Sequence, residues 1–293
     1  MIKNLVLFLI FSLILLSCKR ESPINLPPHI EFKKSPAYIT TDSTVAFGKL
    51  LKVGIIAEKA LVNITNIWIQ VDTGVLVTAF DTSFNTDYFE YDYLLRKSQA
   101  EEEKWIFTIR DRDGAEQSIS FVLKKSTFND FSPILTFDSI VLKGRLNPDP
   151  KSFLSLSDFS TYTLAEAYNN QENIDIFYYY GPENHTMASP GANVEPDIFT
   201  GATPAYKFDF WAVRNTTRYK IFEVPKATFD AISNDSLLII AYGVEEGKRK
   251  AKELVNGQVY SFADKTSRLG LFRVIDISGK DSGYIHMDMK IQE

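Results

Sequence analysis

Apolar and polar residues alternate with period two through the first hundred or so residues after position 28, as they do in strands with one buried face. Turn-forming residues separate the alternating runs, and Asp111-Arg112-Asp113-Gly114 lies where a hairpin needs a positive φ. No helical pattern of useful length intervenes. The alternating apolar positions are Leu51, Val53, Ile55 and Ala57; Ile67, Ile69 and Val71; Phe89, Tyr91 and Tyr93; and Trp105, Phe107 and Ile109.

About seven short strands in such a stretch are typical of an immunoglobulin-like β-sandwich. We therefore predict this fold for residues 29–126, without the cysteine pair of antibody domains. Domains of this kind serve as spacers or as partner-binding modules, and the fold does not choose between the two roles.

A second domain is expected over residues 131–293, mainly β with short helices. Thr163 and Glu166 have the spacing of a capping box, which predicts a helix start. Pro225 fits the first turn of a second helix that would contain Phe229 and Ile232. Strand-like runs cover residues 174–180, 237–242, 258–262, 269–275 and 284–291. The complete chain is thus predicted to be mainly β, an immunoglobulin-like sandwich followed by a second β-rich domain.

The amino terminus has the grammar of an export leader. Lys3 precedes an apolar stretch at residues 5–16, which is short for a spanning helix. The single cysteine follows in Leu15-Leu16-Ser17-Cys18, a string that resembles the lipobox of bacterial lipoproteins. That resemblance implies a signal peptide at 1–17 and acylation of Cys18, which would anchor the chain to a membrane. Residues 18–28 then form a proline-containing spacer.

Composition argues against several classes of function. The chain has 293 residues with 32 basic and 37 acidic side chains, a net charge of −5, so nucleic acid is not an expected partner. The three histidines lack metal-ligand spacing, and no nucleophile elbow, phosphate loop or dinucleotide fingerprint occurs. A calcium loop starting at Asp111 would need glutamate where Val122 stands. We predict no cofactor, no metal and no enzymatic activity, although a glycosidase needs only two carboxylates and stays an alternative.

The segment 173–217 holds the candidate ligand site. Sugar rings stack on aromatic faces while amides and charged groups bind their hydroxyls, and this segment supplies both types. Alternation places Ile174, Ile176, Tyr178 and Tyr180 on one strand face, so half of its aromatic residues are expected in the core. Trp68 is a second candidate, exposed or covered by the neighbouring domain. The candidate ligand-binding residues are Asp175, Tyr179, His185, Trp211, Arg214 and Asn215.

With its lipobox, proline-bearing spacer, immunoglobulin-like domain and distal domain, the layout resembles a type of cell-envelope lipoprotein of the Bacteroidetes. The resemblance implies lipid anchoring in the outer membrane, with the periplasmic and surface faces both open, and it brings no catalytic residues. Related lipoproteins of glycan-uptake systems bind sugars with distal domains. We therefore expect a non-catalytic binding protein with a glycan ligand; a structural or adhesive protein that binds another envelope protein is the alternative.

Overall fold

A computed structural model describes residues 26–129, 131–199 and 206–293. The predicted signal peptide, Cys18 and most of the spacer lie outside the described residues. Within those three ranges, no helix combines the length and the apolar character needed to cross a membrane. The fold is mainly β, as the sequence predicts.

The strands up to residue 129 pair only with one another and form a two-sheet sandwich. They are β1 (His29–Phe32), β2 (Ser43–Phe47), β3 (Leu50–Glu58), β4 (Ile64–Asp72), β5 (Leu76–Thr86), β6 (Tyr88–Arg96), β7 (Glu102–Asp111) and β8 (Glu116–Asn129). One sheet has the order β1-β3-β6 and the other β2-β8-β7-β4-β5. All pairs are antiparallel except β2 with β8. This arrangement is an immunoglobulin-like sandwich.

The core of this first sandwich follows the alternation in the sequence. Ile55, Ile69 and Phe107 are completely buried between the sheets, while the polar residues between them face outward. The turn at Asp111 is confirmed, since Gly114 has φ 86° and the Asp111 carboxylate accepts the backbone N–H of Asp113. Side-chain periodicity alone therefore located the buried face of these strands.

The remaining strands form a second sandwich of two five-stranded sheets. The elements are β9 (Ile134–Lys143), β10 (Phe153–Leu154), β11 (Thr161–Tyr162), α1 (Leu164–Asn169), β12 (Ile176–Gly181), β13 (Asn184–Ala188), β14 (Arg218–Ile221), α2 (Lys226–Asp230), α3 (Ser236–Tyr242), β15 (Lys250–Ala251), β16 (Val259–Ala263), β17 (Leu269–Ser278) and β18 (Tyr284–Gln292). The sheet orders are β11-β10-β12-β13-β15 and β14-β16-β17-β18-β9.

Three apolar layers fill this second sandwich, one between the sheets and one on each outer face. Tyr178 and Met187 pack in the inner layer against Phe272 and Met287 of the facing sheet. The opposite face of β12 carries Phe177 into a second layer, beneath α1 and the turn Phe208–Phe210. The third layer lies under α2 and α3. Both faces of β12 are therefore buried, whereas the sequence suggested that only one of them was core.

Three local predictions for the second domain meet different outcomes. Thr163 caps α1 with the predicted capping box. The helix after Pro225 forms as α2 but ends at Asp230, so Ile232 lies beyond it. The prediction of a strand at 237–242 is wrong, because this run is helix α3, which ends at Gly243 with φ 65°. A continuous apolar run fits a buried strand or a buried helix equally, so period gave no guidance there.

Direct contacts join the two sandwiches. Gly48, with φ 81°, lies so close to Ile239 of α3 that a Cβ added there would be 2.5 Å from the Ile239 side chain. Arg96, at the end of β6, donates from Nη2 to the carbonyl oxygen of Ser267 at 2.8 Å and to Gln292 Oε1 at 3.0 Å. Gln292 in turn donates to Asp235 Oδ2 at 2.7 Å. These contacts hold the two sandwiches together beside a cleft that lies between them.

Candidate functional site

The two aromatic candidates from the sequence, Tyr179 and Trp211, are core residues. Only 5% of Tyr179 and 4% of Trp211 is exposed, and both belong to the layer beneath α1. The Trp211 ring packs on Phe208 with centroids 5.0 Å apart, and its indole N–H donates to the Tyr206 carbonyl oxygen. The expectation that they form an exposed binding face is corrected, because the segment that carries Trp211 folds back over the outer face of the sheet.

Asp175 and Asn215 form a buried junction between β12 and the segment before β14. The Asn215 side-chain amide donates to the carbonyl oxygens of Glu172 and Ile174 and to Asp175 Oδ1. Asp175 also accepts the backbone N–H of Leu156 at 2.9 Å. Burial raises the pKa of the Asp175 carboxyl. This geometry gives both side chains a positioning role, because their hydrogen bonds join neighbouring segments of the same domain.

His185 lies on the other side of the second sandwich, in β13. Its Nδ1 is 2.7 Å from the Tyr178 hydroxyl, and its ring stands edge-on to Tyr180. Burial lowers the pKa of His185. His185 does not line the cleft between the sandwiches, so the structure separates it from the other candidates.

Arg214 is the candidate that reaches open space. Its side chain is exposed at the mouth of a cleft of about 650 Å³ between the two sandwiches, and Asn215 lines the same cleft. The first sandwich contributes Phe80, Tyr91, Tyr93, Arg96 and Trp105, and the second contributes Arg214, Asn215, Arg218, Tyr242, Glu246 and Lys265. A volume of this size is in the range of small-molecule sites.

Aromatic rings form the wall of the cleft on the first sandwich. The rings of Phe80 and Tyr91 stack with centroids 5.2 Å apart at 18°, and Tyr93 lies between Tyr91 and the buried Trp105. Trp105 is held in place by its indole N–H, which donates to the carboxylate of Glu103 at 3.0 Å. Glu103 and its ion-pair partner Lys97 are fully buried. The buried ion pair of Glu103 and Lys97 therefore holds Trp105, the innermost ring of this wall, in position.

Charged groups form the opposite wall. Arg218 pairs with Glu246 at 2.8 Å, and Lys265 lies 3.5 Å from the Asp175 carboxylate. Arg214 has no hydrogen bond or ion pair with any residue that the structure describes, and Arg96 bonds only to neutral oxygens there. The cleft thus combines an aromatic wall with a polar wall that keeps one free guanidinium.

Trp68 is half-buried on the outward face of β4, opposite Ile67 and Ile69, as its position in the alternation predicts. The Arg110 guanidinium lies 4.8 Å from the centre of its ring. Trp68 does not line the interdomain cleft, and a side chain of its own domain covers it.

Sequence reasoning missed most of the residues around the cleft. Tyr91 and Tyr93 were assigned to a strand face, which is correct, but this face extends beyond the core to the domain junction. Tyr242 and Glu246 come from a segment read partly as a strand. Nothing in a single sequence pairs β6 with residues about 150 positions later, so the cleft had no local signal.

Within the described ranges, no group of three or more histidine, cysteine, aspartate or glutamate side chains could hold a metal ion.

Comparisons with known proteins add little. No family model matches the chain, and no curated protein matches it. The alignment with the solved structure of Spo0M, a sporulation control protein from Bacillus subtilis, covers 55% of this chain and 77% of the Spo0M chain, at 7% sequence identity and a TM-score of 0.25. The alignment with a cycloalternan-degrading enzyme from Trueperella pyogenes covers 84% of this chain and 28% of the enzyme chain, at 11% sequence identity and a TM-score of 0.17. At such TM-scores neither carries an argument about this protein.

Proposed function

We propose that this protein is a lipid-anchored, non-catalytic binding protein of the bacterial outer membrane that takes a glycan in the cleft between its two sandwiches. Anchoring would be through Cys18, and the first sandwich would form one wall of the site. The observation that carries the proposal is the cleft itself, in which the stacked rings of Phe80 and Tyr91 face the polar side chains of Arg214, Arg218 and Glu246.

These two walls match the two surfaces of a sugar. The C–H face of a pyranose ring stacks on aromatic rings, and its hydroxyls need several donors and acceptors in a concave site. Tyr91 offers a half-buried ring at the cleft, and Glu246 and Arg218 offer an acceptor and a donor across from it. The site therefore lies at the domain junction, and not in the distal domain alone as the sequence suggested.

The state of Asp92, a carboxylate at the cleft, favours a binding role over catalysis. A glycosidase needs one carboxyl that keeps its proton near neutral pH. Asp92 is held in the opposite state, because Lys52 and Lys33 lower the pKa of its carboxyl to about 2. Glu246 pairs with Arg218, and Asp264 pairs with Arg268 at 2.9 Å.

The alternative is an adhesive protein that binds another envelope protein, and one observation favours it. Strand β5 is the open edge of the larger sheet of the first sandwich, and the exposed side chains of Val75 and Leu76 lie at its start. An open edge can pair with a strand of a partner chain. This edge lies in the first sandwich and would use backbone groups, so cleft substitutions would leave such binding unchanged.

The experiment is a glycan array probed with the full chain in detergent, together with two variants. Tyr91→Leu removes the ring from the cleft wall, and Tyr88→Leu removes an exposed ring from the same strand outside the cleft. We expect the wild type and Tyr88→Leu to bind the same glycans and Tyr91→Leu to lose them. Stacking on one ring contributes about 0.5–1.5 kcal/mol beyond area burial, so the loss should be severalfold or more.

Circular dichroism and thermal melting of both variants would show that each is folded. Equal binding by all three proteins would contradict the cleft as the site. An empty array would shift the assignment to a protein partner, to be sought by crosslinking on intact cells.

A further inference from the structure

We propose that the ligand of the cleft carries a carboxylate, so that the preferred class is an acidic saccharide such as a uronic-acid oligomer. This inference rests on the proposed function and narrows it. It is drawn from Arg214 at the cleft, whose guanidinium pairs with no carboxylate of the described residues.

The acidic side chains at the cleft already have cationic partners. Asp92 binds Lys33 and Lys52 on the outer face of the first sandwich, and Glu246 binds Arg218. Asp264 binds Arg268. Glu245 is the weakest case, 3.9 Å from Lys220. The acidic side chains at the cleft are therefore mostly paired with cations of the protein itself.

Of the arginines at the cleft, Arg214 lacks such a partner, and Arg96 has only the electrostatic attraction of Asp235 and Asp264. Arg96 donates to the carbonyl oxygens of Gly48 and Ser267 and to the Gln292 amide oxygen, which are all neutral. Arg214 makes no polar contact in the part of the chain that the structure describes, and its side chain is exposed. A guanidinium without a carboxylate partner at a concave site favours an anionic group of a ligand.

The backbone at Arg214 is held firmly although its side chain is free. The neighbouring Asn215 donates to three acceptors, and its own carbonyl oxygen accepts the backbone N–H of Gly191 at 2.9 Å. A Cβ at Gly191 would lie 3.0 Å from the Arg214 carbonyl oxygen, so the two segments are in close contact. The backbone that carries Arg214 is thus fixed at the cleft while its guanidinium is free to contact a ligand, and Arg96 holds the domains.

Guanidinium suits this role because its planar set of donors matches the two oxygens of a carboxylate. A sugar acid would place its ring on the Tyr91 wall and its carboxylate at Arg214. A neutral sugar would leave Arg214 with water only and would gain nothing from its charge. The discrimination should therefore depend on Arg214 more than on the aromatic wall.

The test uses two probes that differ only in charge: a short oligogalacturonate and its methyl ester, titrated calorimetrically into the full chain in detergent. We expect the acid to bind at least about tenfold more tightly than the ester, with an affinity that falls as salt rises. Arg214→Gln should remove this preference. Arg249→Gln is the matched control, because Arg249 is also exposed but lies outside the cleft.

Each outcome separates this inference from the proposed function. Equal affinity for acid and ester, lost together in Tyr91→Leu and unchanged in Arg214→Gln, would overturn the carboxylate preference and leave the glycan site intact. If Arg249→Gln abolishes the preference for the acid as well, the preference comes from general surface charge. That result would also overturn the inference. If the protein binds neither probe, the carboxylate preference is overturned. If the glycan array is empty as well, the proposed function is overturned too.

Discussion

Arg96 hydrogen-bonds across the junction between the two sandwiches. It lies in the first sandwich and is half-buried, yet its Nη2 bonds to Ser267 and Gln292 of the second at 2.8 and 3.0 Å. The substitution Arg96→Met keeps the aliphatic stem and removes both bonds. It leaves the Ser267 carbonyl oxygen without this donor at the junction.

The magnitude follows from these two contacts. A hydrogen bond from a charged donor contributes about 1.5–3 kcal/mol, and partial exposure reduces this, so the pair should contribute about 3 kcal/mol to coupling of the domains. The core layers of each sandwich are untouched by the change. We therefore expect a loss of coupling between two domains that stay folded.

Urea unfolding followed by tryptophan fluorescence can measure this, because Trp68 and Trp105 report on the first sandwich and Trp211 on the second. Arg96→Met should lower the first unfolding midpoint and broaden or split the transition. Arg249→Met is the control, since Arg249 is exposed, lies outside the cleft and should cost less than about 1 kcal/mol. An Arg96→Met curve that overlays the control would refute the reasoning.

Three further predictions concern groups behind or beside the site. Glu103→Ala strands the buried Lys97 charge and should cost about 3–5 kcal/mol by urea unfolding. Burial lowers the pKa of His185 below the ordinary 6.5, so the unfolded chain binds the proton first as the pH falls. The contribution of His185 to stability is therefore complete above pH 6.5 and is lost as the pH falls below it. His185→Gln should flatten this dependence in thermal melts recorded at several pH values. Gly270→Ala puts a Cβ 2.2 Å from the buried Phe262 ring and should cost about 1–3 kcal/mol or more in the same urea assay.

Controls accompany these three changes. Glu101→Ala should cost little, because Glu101 is exposed and pairs only with Lys125, so a Glu103→Ala loss of the same size would contradict a special role for the buried pair. An unchanged pH profile in His185→Gln would show that another group sets it. Adding Phe262→Leu to Gly270→Ala should recover part of the loss, and no recovery would argue against the ring contact.

The sequence predicted the first sandwich well because each of its strands buries one face. Ile67, Ile69 and Val71 face the core and Trp68 faces away, so period two records the geometry directly. The second sandwich has apolar layers on both sides of its sheets, so β12 is apolar at nearly every position and its period gives no direction.

The candidate site was predicted only in part. Arg214 and Asn215 line the cleft, but Trp211 and Tyr179 are in the core because aromatic type alone does not distinguish a binding ring from a buried one. Tyr91, on the other side of the cleft, is more than a hundred positions away in the sequence. Domain packing decides which side chains meet there, and domain packing has no local pattern.

Hydrogen exchange of the full chain, with and without a glycan selected on the array, tests most directly whether the cleft is the binding site. The account predicts slower exchange on binding at residues 212–217 and 243–247, on the second-sandwich wall of the cleft, with no change around His185 or at Val75 and Leu76 at the start of β5. Protection confined to Val75 and Leu76 or to the surroundings of His185, with both cleft segments unchanged, would contradict it.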